Sequence, residues 1–244
     1  VCGRFGNALS PAELASLLTL SEESLGAVAP GLARPRYNIS PLQDVLVVRP
    51  APRSEAPGGR VLASLRWGLV PFWARDPKIA SRLINARAET LADKRAFQWA
   101  YRQRRCLVPA DGFYEWRKAG TQRLPYHFGL PDGAGFCMAG LWERWQPRDA
   151  PQAQPGAGLE TFTLVTTEAN DLVRPVHDRM PVILRPEDFA RWLDPRVQDP
   201  AVLQELLRPF PSEAMVAWRV SKYVSDYRNE GPQCREPVGQ LALL

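Results

Sequence analysis

The chain is short of the residues that most often build metal and redox centres. It has two histidines, His127 and His177, and four cysteines, Cys2, Cys106, Cys137 and Cys234. None of the cysteines forms the close pair that a zinc site or a dithiol motif uses, so no metal is expected. Cys106 and Cys137 lie in apolar runs and read as inert core. No stretch approaches the roughly 18 consecutive apolar residues of a membrane span. The first 20 residues lack the basic start and apolar run of a secretory leader. The expectation is a cytoplasmic protein with no membrane partner. Lysine is scarce as well, with four lysines against 27 arginines.

That imbalance has chemical content. The net charge is +5 and the pI is near 9.2, which favours an acidic partner such as nucleic acid. Guanidinium pairs bidentately with phosphate and stacks on bases, which ammonium does not. Codon bias explains many of these arginines equally well, because Ala and Pro are abundant too.

With 244 residues, 45% of them hydrophobic, the chain can bury a sizeable core. We read residues 1–244 as one α+β domain with a mainly antiparallel, barrel-like sheet core and flanking helices. Ser10-Pro11-Ala12-Glu13 predicts a helix start, with Ser10 as N-cap and Glu13 at the capping-box position, followed by Leu14, Leu17 and Leu18. Strands are expected at Asp44 to Arg49, Val61 to Trp67, Arg105 to Pro109, Tyr126 to Leu130, Phe136 to Trp142 and Thr161 to Thr166. Helices are expected at Ala88 to Arg104, Pro186 to Leu193 and Ala201 to Leu207. Pro50 to Arg60 and Gln146 to Gly158 read as long surface loops between hairpin arms.

Four places carry residues beyond what packing needs. Cys2 opens the run Cys2-Gly3-Arg4-Phe5, with only Val1 ahead of it. Without Val1, Cys2 is a 1,2-aminothiol whose amine, near pKa 8, and thiol, near 8.5, both reach their nucleophilic forms around neutral pH. Such a group condenses with an aldehyde to a Schiff base and closes a thiazolidine. Asn85 and Arg87 follow the apolar pair Leu83-Ile84. Asn85 also suits a turn cap, and Arg87 an ion pair with Glu89. Glu115 stands between Tyr114 and Trp116, where desolvation would raise its pKa toward a proton-transfer value. Strand alternation by itself favours Glu115 facing solvent. His177, beside Asp178 and Arg179, suits a proton shuttle or a phosphate contact, whereas His127 reads as structural. Among the aromatics Trp67 reads as core. Trp73, beside Arg75 and Lys78, reads as a wedge or stacking surface for unpaired bases.

Together the segments resemble the SRAP family, the SOS response-associated peptidases known as sensors of abasic sites in single-stranded DNA. The likeness runs in order through Cys2-Gly3-Arg4-Phe5, Arg36-Tyr37-Asn38-Ile39-Ser40-Pro41, Trp67-Gly68-Leu69-Val70-Pro71, Ile84-Asn85-Ala86-Arg87-Ala88-Glu89-Thr90, Asp111-Gly112-Phe113-Tyr114-Glu115-Trp116 and His177-Asp178-Arg179-Met180-Pro181. It implies that Cys2 crosslinks to the ring-opened sugar of an abasic site and that Asn85 holds the Cys2 end. It further implies that Glu115 transfers protons and that His177 assists ring opening. Arg4, Arg87 and Arg179, with Thr166 as a neutral addition, would contact phosphate. No cofactor is implied. A self-processing step would expose Cys2, and the protein would be a monomer associated with the bacterial nucleoid.

Two positions depart from the family pattern. Valine stands at position 1 where methionine is expected, which fits a GTG start codon whose initiator methionine is removed. Ser225 stands where asparagine is expected, which puts one local hydrogen bond in doubt. Two other functions stay open on the residues: an N-terminal-nucleophile hydrolase acting on an amide through Cys2, and a plain single-stranded DNA-binding module. The first predicts turnover of an amide without a DNA adduct, and the second predicts that Cys2→Ala changes nothing.

Overall fold

The capping signal at Ser10 is realised in full. The Ser10 hydroxyl accepts the Glu13 N–H at 3.3 Å, and the Glu13 carboxylate accepts the Ser10 N–H at 2.7 Å. Together they fix the start of helix α1 (Pro11–Leu18). Leu14 and Leu18 are buried and Leu17 is half-buried, so one face of the helix docks on the core.

The computed structural model describes residues 2–20, 34–51, 59–147 and 158–239. Its strands are β1 (Phe5–Asn7), β2 (Arg36–Ile39), β3 (Asp44–Pro50), β4 (Arg60–Trp67), β5 (Asn85–Arg87), β6 (Arg105–Ala110), β7 (Gly112–Ala119), β8 (Gln122–Gly129), β9 (Phe136–Trp145), β10 (Leu159–Glu168), β11 (Arg179–Pro181), β12 (Ile183–Leu184) and β13 (Val216–Arg219). The remaining helices are short: α2 (Gln98–Gln103), α3 (Phe189–Leu193) and α4 (Pro200–Gln204).

Five strands close into a barrel. β3 pairs with β4 from Asp44↔Arg66 to Pro50↔Arg60, and β3 meets β6 at Val48↔Leu107. β6 pairs with β9, β9 with β10, and β10 returns to β4 in parallel through Thr161↔Arg66 and Phe162↔Trp67. Beyond β4, the same edge of β10 takes β5 in parallel, with Leu164 opposite Asn85 and Thr166 opposite Arg87. A second sheet runs β13-β8-β7-β1-β2, antiparallel throughout, so the N-terminal strand lies between two neighbours.

Side-chain alternation sends the two faces of the barrel strands to different partners. Leu46, Val48, Leu107, Ala139, Leu141 and Val165 pack with helix residues such as Leu14, Tyr101, Trp192 and Leu203. Val45, Val47, Cys106, Val108, Met138 and Phe162 pack with Phe5, Phe113 and Phe128 of the second sheet. Because both faces are covered, all six residues of β6 are buried. Cys106 and Cys137 are core residues, and burial pushes both thiols up. His127 is buried as well, 4.5 Å from the Trp218 ring centre, and desolvation drops its pKa to about 3. Gly112 leaves room for it, since a Cβ there would come within 2.1 Å of His127 Nε2.

The expected strands and hairpin arms are present. The middles of the two expected loops, 52–58 and 148–157, lie outside the described residues. The helix expected from Ala88 to Arg104 is replaced by a 3-10 turn at Ala88–Thr90 and the short α2. The reason is the apolar period. Leu91 and Phe97 are buried, but the positions a helix would place beneath Leu91 are Lys94 and Arg95, both exposed. Among the described residues no helix is long and apolar enough to cross a membrane.

Arg105 ties the helices to the barrel. It is 1% exposed and donates to the backbone carbonyls of Tyr101, Arg102, Trp192, Asp194 and Val197. The end of α2 and the end of α3 therefore share one cation, in the place where helix C-termini favour positive charge. Burial lowers its pKa to about 10, which leaves it charged at neutral pH. Arg105→Lys replaces a five-donor fork by one ammonium and strands buried carbonyls. Chemical denaturation of this variant is expected to show a loss of about 3 kcal/mol.

Candidate functional site

Cys2 is placed by the second sheet. Phe5 opposes Phe113, and the Tyr114 N–H donates to the Arg4 carbonyl at 3.0 Å, so the pairing of β1 with β7 continues toward the chain start. Glu115 follows on β7, and its carboxyl accepts the backbone N–H of Cys2. From the barrel side, Asn85 Nδ2 donates to the Cys2 carbonyl at 3.0 Å. Residue 2 is thus gripped from one sheet at its nitrogen and from the other at its carbonyl.

Glu115 does not face solvent, although alternation alone favoured that. It is 4% exposed, and Tyr114 beside it is buried too, because both faces of β7 are covered here. Burial pushes the Glu115 carboxyl up to about 7, the Asp178 carboxylate adds in the same direction, and the N–H groups of Cys2 and Trp116 oppose. The Cys2 side chain is fully buried, and desolvation followed by the Glu115 charge pushes its thiol well up. The arrangement holds a proton-exchanging carboxyl against the nitrogen of a cysteine.

His177 is half-buried before β11. Its Nδ1 accepts the Arg179 N–H at 3.0 Å and lies 2.8 Å from Asp178 Oδ1. The two contacts favour opposite states of Nδ1. The backbone N–H requires an unprotonated nitrogen, whereas the carboxylate would favour a protonated one. Burial lowers the His177 pKa, against the pull of the Asp178 carboxylate.

The arginines divide by partner. Arg87 is exposed at the end of β5. Arg179 is 13% exposed; it forks onto Glu89 at 2.7 and 2.9 Å and donates to the Thr166 carbonyl at 2.6 Å. Although burial pushes the Glu89 carboxyl up, the Arg179 fork outweighs it and the net shift is downward. Glu89 therefore pairs with Arg179, where the sequence suggested Arg87. Arg4 is half-buried, donating to Asn38 Oδ1 at 2.7 Å and to the Val224 carbonyl at 2.8 Å, with its guanidinium 5.7 Å from the Trp116 ring centre. Thr166 is buried, with its hydroxyl 3.5 Å from the Ala86 carbonyl and 3.4 Å from Arg179 Nη2. Trp73, on the segment between β4 and β5, is half-buried under Arg95, whose guanidinium lies 4.7 Å from the ring centre.

One contributor's role escaped sequence reading. Asn38, 1% exposed, donates to the carbonyls of Val224, Asp226 and Asn229 and so pins a C-terminal segment beside Arg4. Nothing local marks this role, since those carbonyls lie at least 186 residues away. Ser225 accepts the Trp116 Nε1 proton at 3.0 Å. Among the described residues no cluster of three or more His, Cys, Asp or Glu side chains is arranged to hold a metal.

The burial of Glu115 opposes folding at high pH. Its folded pKa lies above the ordinary value of 4.5, so the folded state binds the extra proton; this stabilisation is complete below about 4.5 and is lost as pH rises through about 7. Glu115→Gln removes the titration. Thermal melts are expected to show the variant more stable than wild type above pH 7, by on the order of 2 kcal/mol, with the gap closing by pH 4.

Residues 1–227 match the family model described as SOS response associated peptidase (SRAP). The abasic site processing protein YoqW of Bacillus subtilis is 40% identical over 207 residues, covering 84% of this chain and 88% of its own. The abasic site processing protein HMCES of Xenopus tropicalis is 29% identical over 270 residues, covering 98% of this chain and 78% of its own. A crystal structure of a protein from Bacteroides thetaiotaomicron superposes with a TM-score of 0.82 at 26% identity, covering 97% of this chain and all of the other.

Proposed function

The chain belongs to the SRAP family, and from that membership we propose that it captures abasic sites in single-stranded DNA as a thiazolidine crosslink to Cys2, once the residue ahead of Cys2 has been removed. One observation carries the reading: the buried Glu115 carboxyl accepts a hydrogen bond from the very nitrogen that removal would turn into a primary amine. The names of its relatives, abasic site processing proteins, supply the substrate class.

The chemistry balances without a redox partner. The Cys2 amine adds to the C1 aldehyde of the ring-opened deoxyribose, and the first proton that the nitrogen loses passes through Glu115 to the new alkoxide, giving a carbinolamine. The second nitrogen proton follows the same route to the hydroxyl, which leaves as water and gives the Schiff base. The Cys2 sulfur adds to the imine carbon, its proton passes to the nitrogen, and a five-membered ring closes. Asn85, holding the Cys2 carbonyl, fixes the direction from which both nucleophiles of one residue approach. His177 serves ring opening at the sugar oxygen. Arg87 meets phosphate directly, and Arg179 and Arg4 do so from more shielded positions. Trp73 offers a stacking face farther along the strand. The free amine comes from a processing step that cleaves the bond ahead of Cys2.

Incubation with an oligonucleotide containing an abasic site is expected to yield an adduct that survives denaturing electrophoresis. Cys2→Ala, or a residue before Cys2 that resists processing, should abolish it; an equal adduct from Cys2→Ala would overturn the proposal. Glu115→Gln should slow adduct formation by about 100-fold or more. Arg87→Ala should weaken binding on every sequence and lower the salt slope by about 1.

A further inference from the structure

The segment between β4 and β5 holds an exposed phenyl ring on a rigid mount. Phe72 is 55% exposed, the most exposed phenylalanine among the described residues. Its own N–H donates to Glu143 Oε2 at 3.1 Å. On either side, the Val70 N–H donates to Thr161 Oγ1 at 2.9 Å and Trp145 Nε1 donates to the Ala74 carbonyl at 2.7 Å. Glu143 is 2% exposed and is neutralised by Arg104 at 2.8 Å. Three barrel side chains, one of them a buried carboxylate, therefore fix a loop whose central side chain packs on little. Burying a charge to present an apolar ring to water stabilises nothing by itself.

The surroundings indicate what the ring meets. Beside it lies a cleft of about 360 Å³ lined by Trp73, Arg75, Lys78 and Arg82, with Asp76 as its one acid. Asp76 is occupied in capping the Lys78 N–H at 2.9 Å, so the rim is cationic. Aromatic faces beside guanidinium and ammonium groups fit a single strand, which offers a base to stack and a phosphate to pair at each step. The mount is also aligned with Cys2. Val70 is held at Thr161 of β10 and Asn85 pairs at Leu164, about 10 Å along the same strand.

We propose that Phe72 is a base-stacking contact for the single-stranded DNA that flanks the captured lesion, with Arg75, Lys78 and Arg82 following its phosphates and Glu143 acting as the positioning residue of the loop. This rests on the DNA-capture reading and adds to it a contact that sets affinity without touching the reacting atoms.

The test uses abasic oligonucleotides with 2-aminopurine placed in turn at the neighbouring positions. Phe72→Ala is expected to reach the full adduct yield at saturating DNA, while its half-saturating concentration rises roughly 5- to 100-fold. The quenching of one flanking 2-aminopurine should disappear, and Phe72→Trp should restore it. Because Phe72 is exposed, neither change threatens folding. Unchanged half-saturation and an unchanged quenching pattern in Phe72→Ala would overturn the inference and leave the ring as a surface for some other partner. A wild-type protein that makes no adduct, yet loses the quench on Phe72→Ala, would overturn the crosslinking reading and uphold this one.

Discussion

A carboxyl group buried against the nitrogen of residue 2 asks more of the structure than any other contact. To keep Glu115 near neutrality in pKa, the surroundings must exclude water on both sides of β7. To keep Cys2 beside it, the start of the chain must not fray. Both demands are met by threading β1 between β7 and β2, so the terminal strand is an interior strand. Asn85 arrives from the barrel, which makes the site a junction between two sheets. At that junction Phe5 meets the Trp67 ring edge-on, with centres 5.1 Å apart, and Trp67 stacks on Phe162 at 6.3 Å.

The net positive charge gives a misleading picture of where cations are available. Arg105 is spent on helix ends, Arg235 on the buried Asp111, and Arg49 on Glu160 and the Trp142 face. Arg179 is largely neutralised by Glu89. What remains exposed near the site, Arg87 and the rim of the aromatic cleft, is a minority of the arginines. Composition alone could not separate these classes, since both use the same side chain.

How much was legible follows from the range of each signal. The helix start at Ser10 and the long hairpin arms are local patterns, and they form where the sequence places them. The helix expected after Ala88 does not form whole because Lys94 and Arg95, both exposed, break the apolar period. Asn85, Glu115 and His177 stand out as chemical types, and the structure sets Asn85 and Glu115 directly on Cys2. The orientation of Glu115 was not legible, because alternation assumes one wet face and β7 has none at that point. The burial of Thr166 was not legible either, since its neighbours Arg87 and Pro181 come from β5 and β11, far away in sequence. Asn38 and Glu143 act on backbone groups far away in sequence, a relation that only the closed barrel and the central β1 bring about.

The central claim is that the nitrogen and sulfur of Cys2 together form the bond to DNA. Peptide mapping by mass spectrometry of the adduct, formed without any reducing agent, tests it most directly. The account predicts that the DNA remnant sits on a peptide beginning at Cys2, with a mass that shows loss of one water and no free thiol on that residue. A remnant on a lysine, or an adduct that survives only after borohydride reduction, would contradict it.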